Sequence, residues 1–586
     1  MTISWQDYYF RIQLSHSSGE GDSWDTAISL KTIADYFANN PIGTLYMPRG
    51  NNELCDEATY WSVESGDADP PTYDTTDYAS IPDAGTNGSV SFTKNGPEDF
   101  VALWNGNHDW DGGANPRYGE NTYHYLRCDY AEKIELWVKV SNPDIKLDKI
   151  KCTSYYSSSR PEMYGTEFTN NGEGWSFEAD TWTKIEIDIR KDPHIRLHER
   201  QWWDRISTWR LYFSGGDSGD TVKIDGLRCV NTNPNPVEVY PNYFRVPVTI
   251  FSSDSSLYFW MKNCFVRPTM LGGYFLYFYY GHYKIGEIGS NGEVYDPVVI
   301  YHDNEDRDGH SGALHFYKPA EIYVYGLTLF SAYAKGAYLK IQNPTGESEV
   351  KYVNIYNHTD NWLINVKNVD NIETHNGRYC LRDSHPPESG GEWRNLFLQK
   401  AVSFRWWTTH GYTYTFRNAE LRGVPEIRIG YSGGEHIINL VDSSFEGINK
   451  VVFYCAGCPA GTPNRLNLQA SFKLKVIDMN NNPIQGANVV LKDKDGNVVF
   501  NLTTDENGEI PPQDVTYERY EWIADGVSNA KTRTWGSPQA TFNPFTIRIS
   551  KKGFQTYEKK FTLDKKVDWI IRLRHSDVNV DQEVLL

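Results

Sequence analysis

Cysteine is scarce in this chain, with 8 in 586 residues, too few for a disulfide framework at this size. Cohesion must come from buried apolar surface instead. Positive charge is also short: 57 Lys and Arg stand against 76 Asp and Glu, a net charge of −19. That balance excludes electrostatically driven binding of nucleic acid or of an anionic membrane surface. Long hydrophobic runs are missing, and the most apolar stretch, Tyr274 to Tyr280 (YFLYFYY), has the length of one or two strands rather than of a membrane span. The opening Met1 to Leu14 (MTISWQDYYFRIQL) has neither a basic n-region nor an apolar h-region, so no secretion leader is expected and the segment reads as a strand. No GxGxxG or GxxxxGK[ST] is present, which removes the usual nucleotide readings.

Aromatics are abundant, 15% of residues with 40 Tyr, 26 Phe and 19 Trp, while all hydrophobics reach only 39%. This balance suits pleated sheets better than helix bundles, and the predicted fold class is all-β. One helix is expected at Ser29 to Asn40, where Leu30, Ile33, Ala34 and Phe37 follow i, i+3, i+4, i+7 spacing behind an N-cap Ser29. Between Asp67 and Tyr78, Pro70, Pro71 and many Asp, Thr and Tyr have linker composition. Alternating strands follow, and in Lys184 to Ile189 (KIEIDI) the isoleucines share one face.

The sequence TWTKIEIDIR, then RISTWRLYFSGGDSGDTVKIDGLRCV, resembles the closing strands of jelly-roll, galactose-binding-like carbohydrate-binding modules. The resemblance implies exposed rings stacked on sugars, and the candidates are Trp104, Trp110, Tyr118, Trp202 and Trp203. In so aromatic a chain these rings compete with core positions. Further on, VYGLTLFS, VKYVNIYN, VDNIETHN, QKAVSFRW, FRNAELRG and LVDSSFEG recur at intervals of roughly 17 to 30 residues, a coil length suited to a solenoid. NAELRG and DSSFEG resemble rungs of right-handed parallel β-helices, including phage tailspikes and polysaccharide-active enzymes. After Leu474, KVIDMNNNPIQGANVVLKDKDGNVVFNLTTDENGEI resembles the carboxypeptidase regulatory-like, transthyretin-like β-sandwich module, with Ala487, Val489 and Leu491 facing one way and Asp495-Gly496 and Asn507-Gly508 closing turns.

The predicted plan is therefore a strand-helix-strand cap at 1–66, a jelly roll at 67–231, a parallel β-helix at 232–465, an Ig-like sandwich at 466–574 and a tail at 575–586. Asn304, Asp306 and Asp308 match the start of a Ca2+ loop, but Arg307 intrudes and His315 stands at the twelfth position, so a solvated turn competes. Cys455 and Cys458 form a CxxC read as a structural turn or local disulfide rather than half a metal site. No catalytic residues are assigned. The expected role is a virion surface structural or adhesion protein, such as a tail spike, fibre or capsid appendage of a phage or archaeal virus. Its expected partners are further copies of itself as a homo-oligomer such as a trimer, other virion proteins and host-surface polysaccharide, with neither nucleic acid nor membrane insertion. The alternatives are a polysaccharide lyase or glycoside hydrolase on a β-helix, and a cell-surface filament or adhesin subunit.

Overall fold

The computed structural model describes residues 2–6, 11–40, 45–46, 61–81, 88–105, 133–154, 165–188, 194–196, 206–231, 238–240, 243–246, 249–268, 274–302, 313–331, 338–356, 361–375, 381, 384–387, 391–399, 402–404, 412–430 and 434–576. They fall into two compact units, Met1–Glu321 with Leu327–Tyr338, and Ile322–Gly326 with Leu339–Leu586. The all-β expectation holds. Among the described residues the one α-helix is Leu30–Asn39, and it buries Leu30, Ile33, Ala34 and Phe37. Ser29 caps it: its hydroxyl accepts the Thr32 N–H at 3.1 Å, and the Thr32 hydroxyl accepts the Ser29 N–H at 3.2 Å.

In the first unit, successive strands pair in parallel. Thr249–Ser252 pairs with Tyr274–Tyr279 and that with Ala313–Tyr317, which stacks Ile250, Leu276 and Leu314 in a buried column. Cys264–Pro268, Val298–His302 and Leu327–Ser331 do the same with Val266, Ile300 and Leu329. A parallel ladder leaves an unpaired edge. Here an antiparallel hairpin, Thr2–Gln6 with Arg11–Ser15, lies parallel against Thr249–Ser252 and covers it.

The same unit holds a sandwich of two antiparallel sheets. One runs Trp61–Gly66, Phe100–Asn105, Ile206–Ser214, Lys146–Ser154, Gly165–Phe168, His194–Arg196, and the other runs Thr72–Asp74, Ser89–Thr93, Thr221–Asn231, Lys133–Val140, Thr183–Asp188. Their facing residues form one core that includes Phe92, Phe100, Ile185, Ile187, Leu211 and Phe213. Two expectations are corrected. Trp61–Gly66 belongs to this sandwich through pairing with Phe100–Asn105, so the sandwich begins before residue 67. The Pro70–Tyr78 stretch is not a linker, because Thr72–Asp74 pairs with Ser89–Thr93.

In the second unit the coil is clearest. Val350, Val369, Trp393, Phe416, Leu440 and Leu468 stack in register on six parallel strands, all buried. Each fully buried side chain of this size contributes roughly 1.5–3 kcal/mol of hydrophobic stabilisation. Two residues beyond each of the first five, the backbone turns through a left-handed residue: Tyr352, Asn371, Asn395, Asn418 and Asp442, with φ of 55°, 55°, 54°, 52° and 52°. Asn and Asp tolerate this region because their short polar side chains bond locally. Asn418 Nδ2 donates to Asn395 Oδ1 at 3.1 Å, and Asn395 Nδ2 to Asp370 Oδ1 at 2.7 Å, so the corners are tied rung to rung.

The last coil is also covered. Gln513–Ile523 pairs antiparallel with Pro463–Asp478, and Ala530–Thr534 pairs antiparallel with Lys450–Tyr454. Trp535 stacks on Tyr520 at 5.0 Å and fixes this hairpin. These two strands close the ladder of their own chain. Pro463–Asp478 continues past the boundary drawn at residue 466 and pairs in parallel with Val567–Leu573 in a terminal sandwich. There Ala487, Val489 and Leu491 are buried, as their alternation requires. Asp478 accepts the N–H groups of Asn480 and Asn482, and Asp505 those of Asn507 and Glu509, which sets two of its turns. Cys455 and Cys458 form a local disulfide.

His385 is buried beside the Pro386 carbonyl at 2.8 Å and the Tyr414 hydroxyl at 3.2 Å. Burial pulls its imidazole down to about 4. The unfolded chain therefore binds the extra proton first, and stability is lost as pH falls from 6.5 toward 4. We predict an acid loss on the order of 3 kcal/mol from this group by urea denaturation, absent in His385→Gln; an unchanged acid limb in the variant contradicts it. At the corner, Asn395→Val should cost about 1–2 kcal/mol and Asn395→Gly much less, because only the β-branched residue is strained at positive φ; equal losses would show that φ is not the cause.

Candidate functional site

The sandwich presents three surfaces to consider, its interior and two outer faces. The interior takes Trp104. Trp61, Trp104, Trp209 and Cys152 are register neighbours across four strands, and all are at most 4% exposed. Trp104 is a core residue, because on Phe100–Asn105 it shares the inward parity of Phe100 and Ala102, and its ring cannot stack on a sugar. The other candidates, Trp110, Tyr118, Trp202, Trp203, Asn304, Asp306 and Asp308, lie outside the described residues. Among the described residues no group of three His, Cys, Asp or Glu side chains could hold a metal ion.

The outer face of the Thr221–Asn231 sheet is closed by the chain itself. Asp77 reaches over it and accepts from Lys223 Nζ at 2.7 Å, Lys139 Nζ at 3.0 Å and Trp182 Nε1 at 3.0 Å. Partial burial pushes the Asp77 carboxyl up, but the bonds from Lys223, Lys139 and Trp182 outweigh it and hold the group below its ordinary range. Asp74 bonds Lys223 at 2.7 Å, and that bond, with help from Thr76, holds its carboxyl far below the usual range. The Ala79 N–H donates to Asp225 Oδ2 at 2.8 Å, while Ala79, Ile81 and Trp137 form a small core of their own. Beneath lies a buried ion pair: Arg228 Nη2 is 3.0 Å from Glu135 Oε2, with exposures of 1% and 4%. Lys184 also pairs with Glu135.

The outer face of the other sheet carries a different set. In RISTWRLYFS the inward residues are Trp209, Leu211 and Phe213, so Arg210 and Tyr212 point outward. Tyr212 neighbours Val101 and Lys149, and Arg210 neighbours Leu103 and Lys151. Lys151 in turn neighbours Glu167, and a register shift between Val63 and Ser65 inserts Glu64 at the margin. Lys149 Nζ lies 4.6 Å from the Tyr212 ring centre and 3.2 Å from Glu167 Oε2. Arg210 Nε is 2.6 Å from Glu64 Oε2. Partial burial pushes the Tyr212 phenol above its ordinary value, so it remains a hydroxyl donor at neutral pH.

This strip joins one half-buried ring to two cation–carboxylate pairs at strand spacing. A sugar offers an apolar C–H face to such a ring and hydroxyl groups to flanking charged donors and acceptors, whose hydrogen bonds are stronger than neutral ones. Tyr212 is not among the rings expected from the sequence to meet a sugar. The signal was present in the parity of Arg210 and Tyr212 against Trp209, Leu211 and Phe213.

No protein-family model matches the chain, and no curated protein matches it. Solved structures do. The family 11 carbohydrate-binding module from Clostridium thermocellum in complex with a β-1,3-1,4-mixed-linked tetrasaccharide is 12% identical, over 30% of this chain and 94% of that one, with a TM-score of 0.20. The C-terminal family 22 carbohydrate-binding module of Clostridium thermocellum Xyn10B is 10% identical, over 33% and 99%, with a TM-score of 0.17. The catalytic domain of a GH87 α-1,3-glucanase in complex with tetrasaccharides is 8% identical, over 73% and 90%, with a TM-score of 0.18.

Glu135→Gln should cost roughly 3 kcal/mol in thermal or urea unfolding, because Arg228 would stay buried with a weakened partner. Glu186→Gln, at the exposed pair with Lys133, should cost less than about 1 kcal/mol. Equal losses would mean that burial of the pair does not set the energetics.

Proposed function

We propose that the protein is a structural adhesion protein, of the spike or fibre kind carried by virions, which holds a surface polysaccharide on the outer face of its jelly roll. The observation that carries this reading is the Tyr212 strip, with Lys149 and Glu167 on one side and Arg210 and Glu64 on the other. Its donors and acceptors suit many hydroxyls, and its one ring suits the apolar face of a pyranose. The parallel ladders supply a rigid carrier, since each coil is held by the next through register-matched buried columns. Segments of the same chain cover Thr249–Ser252 in the first unit and Lys450–Tyr454 and Pro463–Asp478 in the second.

A second reading, glycoside hydrolysis, is favoured by one observation on the second unit's ladder. Glu373, Phe397 and Glu420 are successive register neighbours, and His375 Nε2 lies 3.4 Å from Glu373 Oε2. Two strand spacings separate the carboxylate-bearing strands by about 9–10 Å, at the upper edge of the roughly 6.5–9.5 Å carboxyl separation that inverting chemistry uses.

One experiment addresses both readings. Binding of neutral oligosaccharides, surveyed on a glycan array and measured by calorimetry, should fall at least about tenfold in Tyr212→Ala, since one stacked ring is worth roughly 0.5–1.5 kcal/mol beyond its area burial. Unchanged binding in that variant overturns the site. New reducing ends released from the bound polysaccharide, and lost in Glu420→Gln, would shift the conclusion to the hydrolase.

A further inference from the structure

A second polar-aromatic cluster lies on the first unit's parallel ladder, on residues the jelly-roll strip does not use. Tyr258–Met261 and His282–Ile285 pair in parallel, with Tyr258 beside His282 and Trp260 beside Lys284. Phe259, Met261, Tyr283 and Ile285 are buried inside the coil, so the alternation sends Tyr258, Trp260, His282 and Lys284 outward. Tyr258 and His282 stack face to face at 4.1 Å, and His282 Nδ1 is 3.3 Å from Glu321 Oε2. Trp24, from the turn before the helix, meets Tyr258 edge-on at 5.0 Å.

Two ammonium groups share this platform. Lys284 Nζ lies 4.8 Å from the Trp24 ring centre and 4.5 Å from that of Trp260, and Lys262 Nζ lies 4.0 Å from the Trp260 ring centre. Among the described residues neither lysine has a carboxylate partner; both are held by indole faces instead. In a chain with a net charge of −19, two cations gather over the Trp260 ring. Both ammonium groups lie within 4.5 Å of the Trp260 ring centre, so an anion at that ring is attracted by both. The indole contacts also restrict the lysines before any ligand arrives, which lowers the ordering cost of binding.

We infer that this platform binds an anionic sugar, with its carboxylate or sulfate on Lys262 and Lys284 and its ring against the Trp24, Tyr258 and Trp260 edges. This second site differs from the Tyr212 strip in ligand charge and in residues, so either can fail without the other.

The test uses the full chain with three probes: a polyuronate oligomer, a sulfated oligosaccharide and a neutral oligosaccharide. At low salt at least one anionic probe should bind by calorimetry more tightly than the neutral one, and the tighter of the two identifies the anion. Its affinity should fall at least about tenfold in the Lys262→Gln/Lys284→Gln double variant, since each lost charge-assisted bond is worth roughly 1.5–3 kcal/mol. It should also weaken as salt rises from about 20 to about 300 mM and survive in Lys284→Arg. Circular dichroism and melting temperature confirm that each variant is folded. Failure of both anionic probes to bind, or equal binding by a folded double variant, overturns the inference.

Discussion

The left-handed corner, repeated once per coil, is the constraint on which the second unit's ladder depends. A parallel strand that meets Tyr352, Asn371, Asn395, Asn418 or Asp442 at positive φ turns there, and the residues before and after it re-enter register with the next rung. Because the corners stack, the buried columns on either side stack too: Val350 through Leu468 before the turn, and Val353, Ile372, Leu396 and Ala419 after it. Asparagine suits the position twice over, since it tolerates the backbone geometry and its amide can bond the corner above or below.

Ladders of this kind are closed by chain segments that are distant in sequence. The hairpin Thr2–Gln6 and Arg11–Ser15 covers one edge in the first unit, and the strands Gln513–Ile523 and Ala530–Thr534 cover another in the second. The sandwich follows the same economy with charge. One outer face is sealed by Asp74, Asp77 and Ala79, whose bonds to Lys139, Lys223 and Asp225 leave a finished surface. The other keeps its charged pairs at the flanks of Tyr212, where hydroxyl groups can exchange with them. The proposed role goes to the second face because Tyr212 lies there between two charged pairs, whereas Asp74, Asp77 and Ala79 lie across the first.

Much of this was legible from local pattern. The helix spacing at Leu30 to Phe37, the alternation in KIEIDI and the Asp-Gly and Asn-Gly turns of the terminal sandwich depend on neighbours within a few residues, and the structure follows them. The phrases from Val350, Val369, Phe416 and Leu440 carry the coil, and their common third residue, Tyr352, Asn371, Asn418 or Asp442, is the corner itself. What misled was composition. Pro70 to Tyr78 has the residues of a linker, yet its carboxylates answer lysines about 60 to 150 positions away, which no local window can register. Trp104 looked like a platform because an aromatic-rich chain offers no local means of telling a core ring from a surface one, whereas its pairing with Trp61 and Trp209 decides the matter. Tyr212 was hidden for the converse reason, inside a strand whose inward residues drew attention to the core.

On the proposed reading, the open face of the sandwich, and not the sealed one, meets the polysaccharide. Hydroxyl-radical footprinting read by mass spectrometry tests it directly, because Tyr212 reports on the open face and Trp182 on the sealed one. With a bound polysaccharide, oxidation of Tyr212 should drop while that of Trp182 stays as in the free protein. Protection of Trp182 with Tyr212 still oxidised would contradict the account.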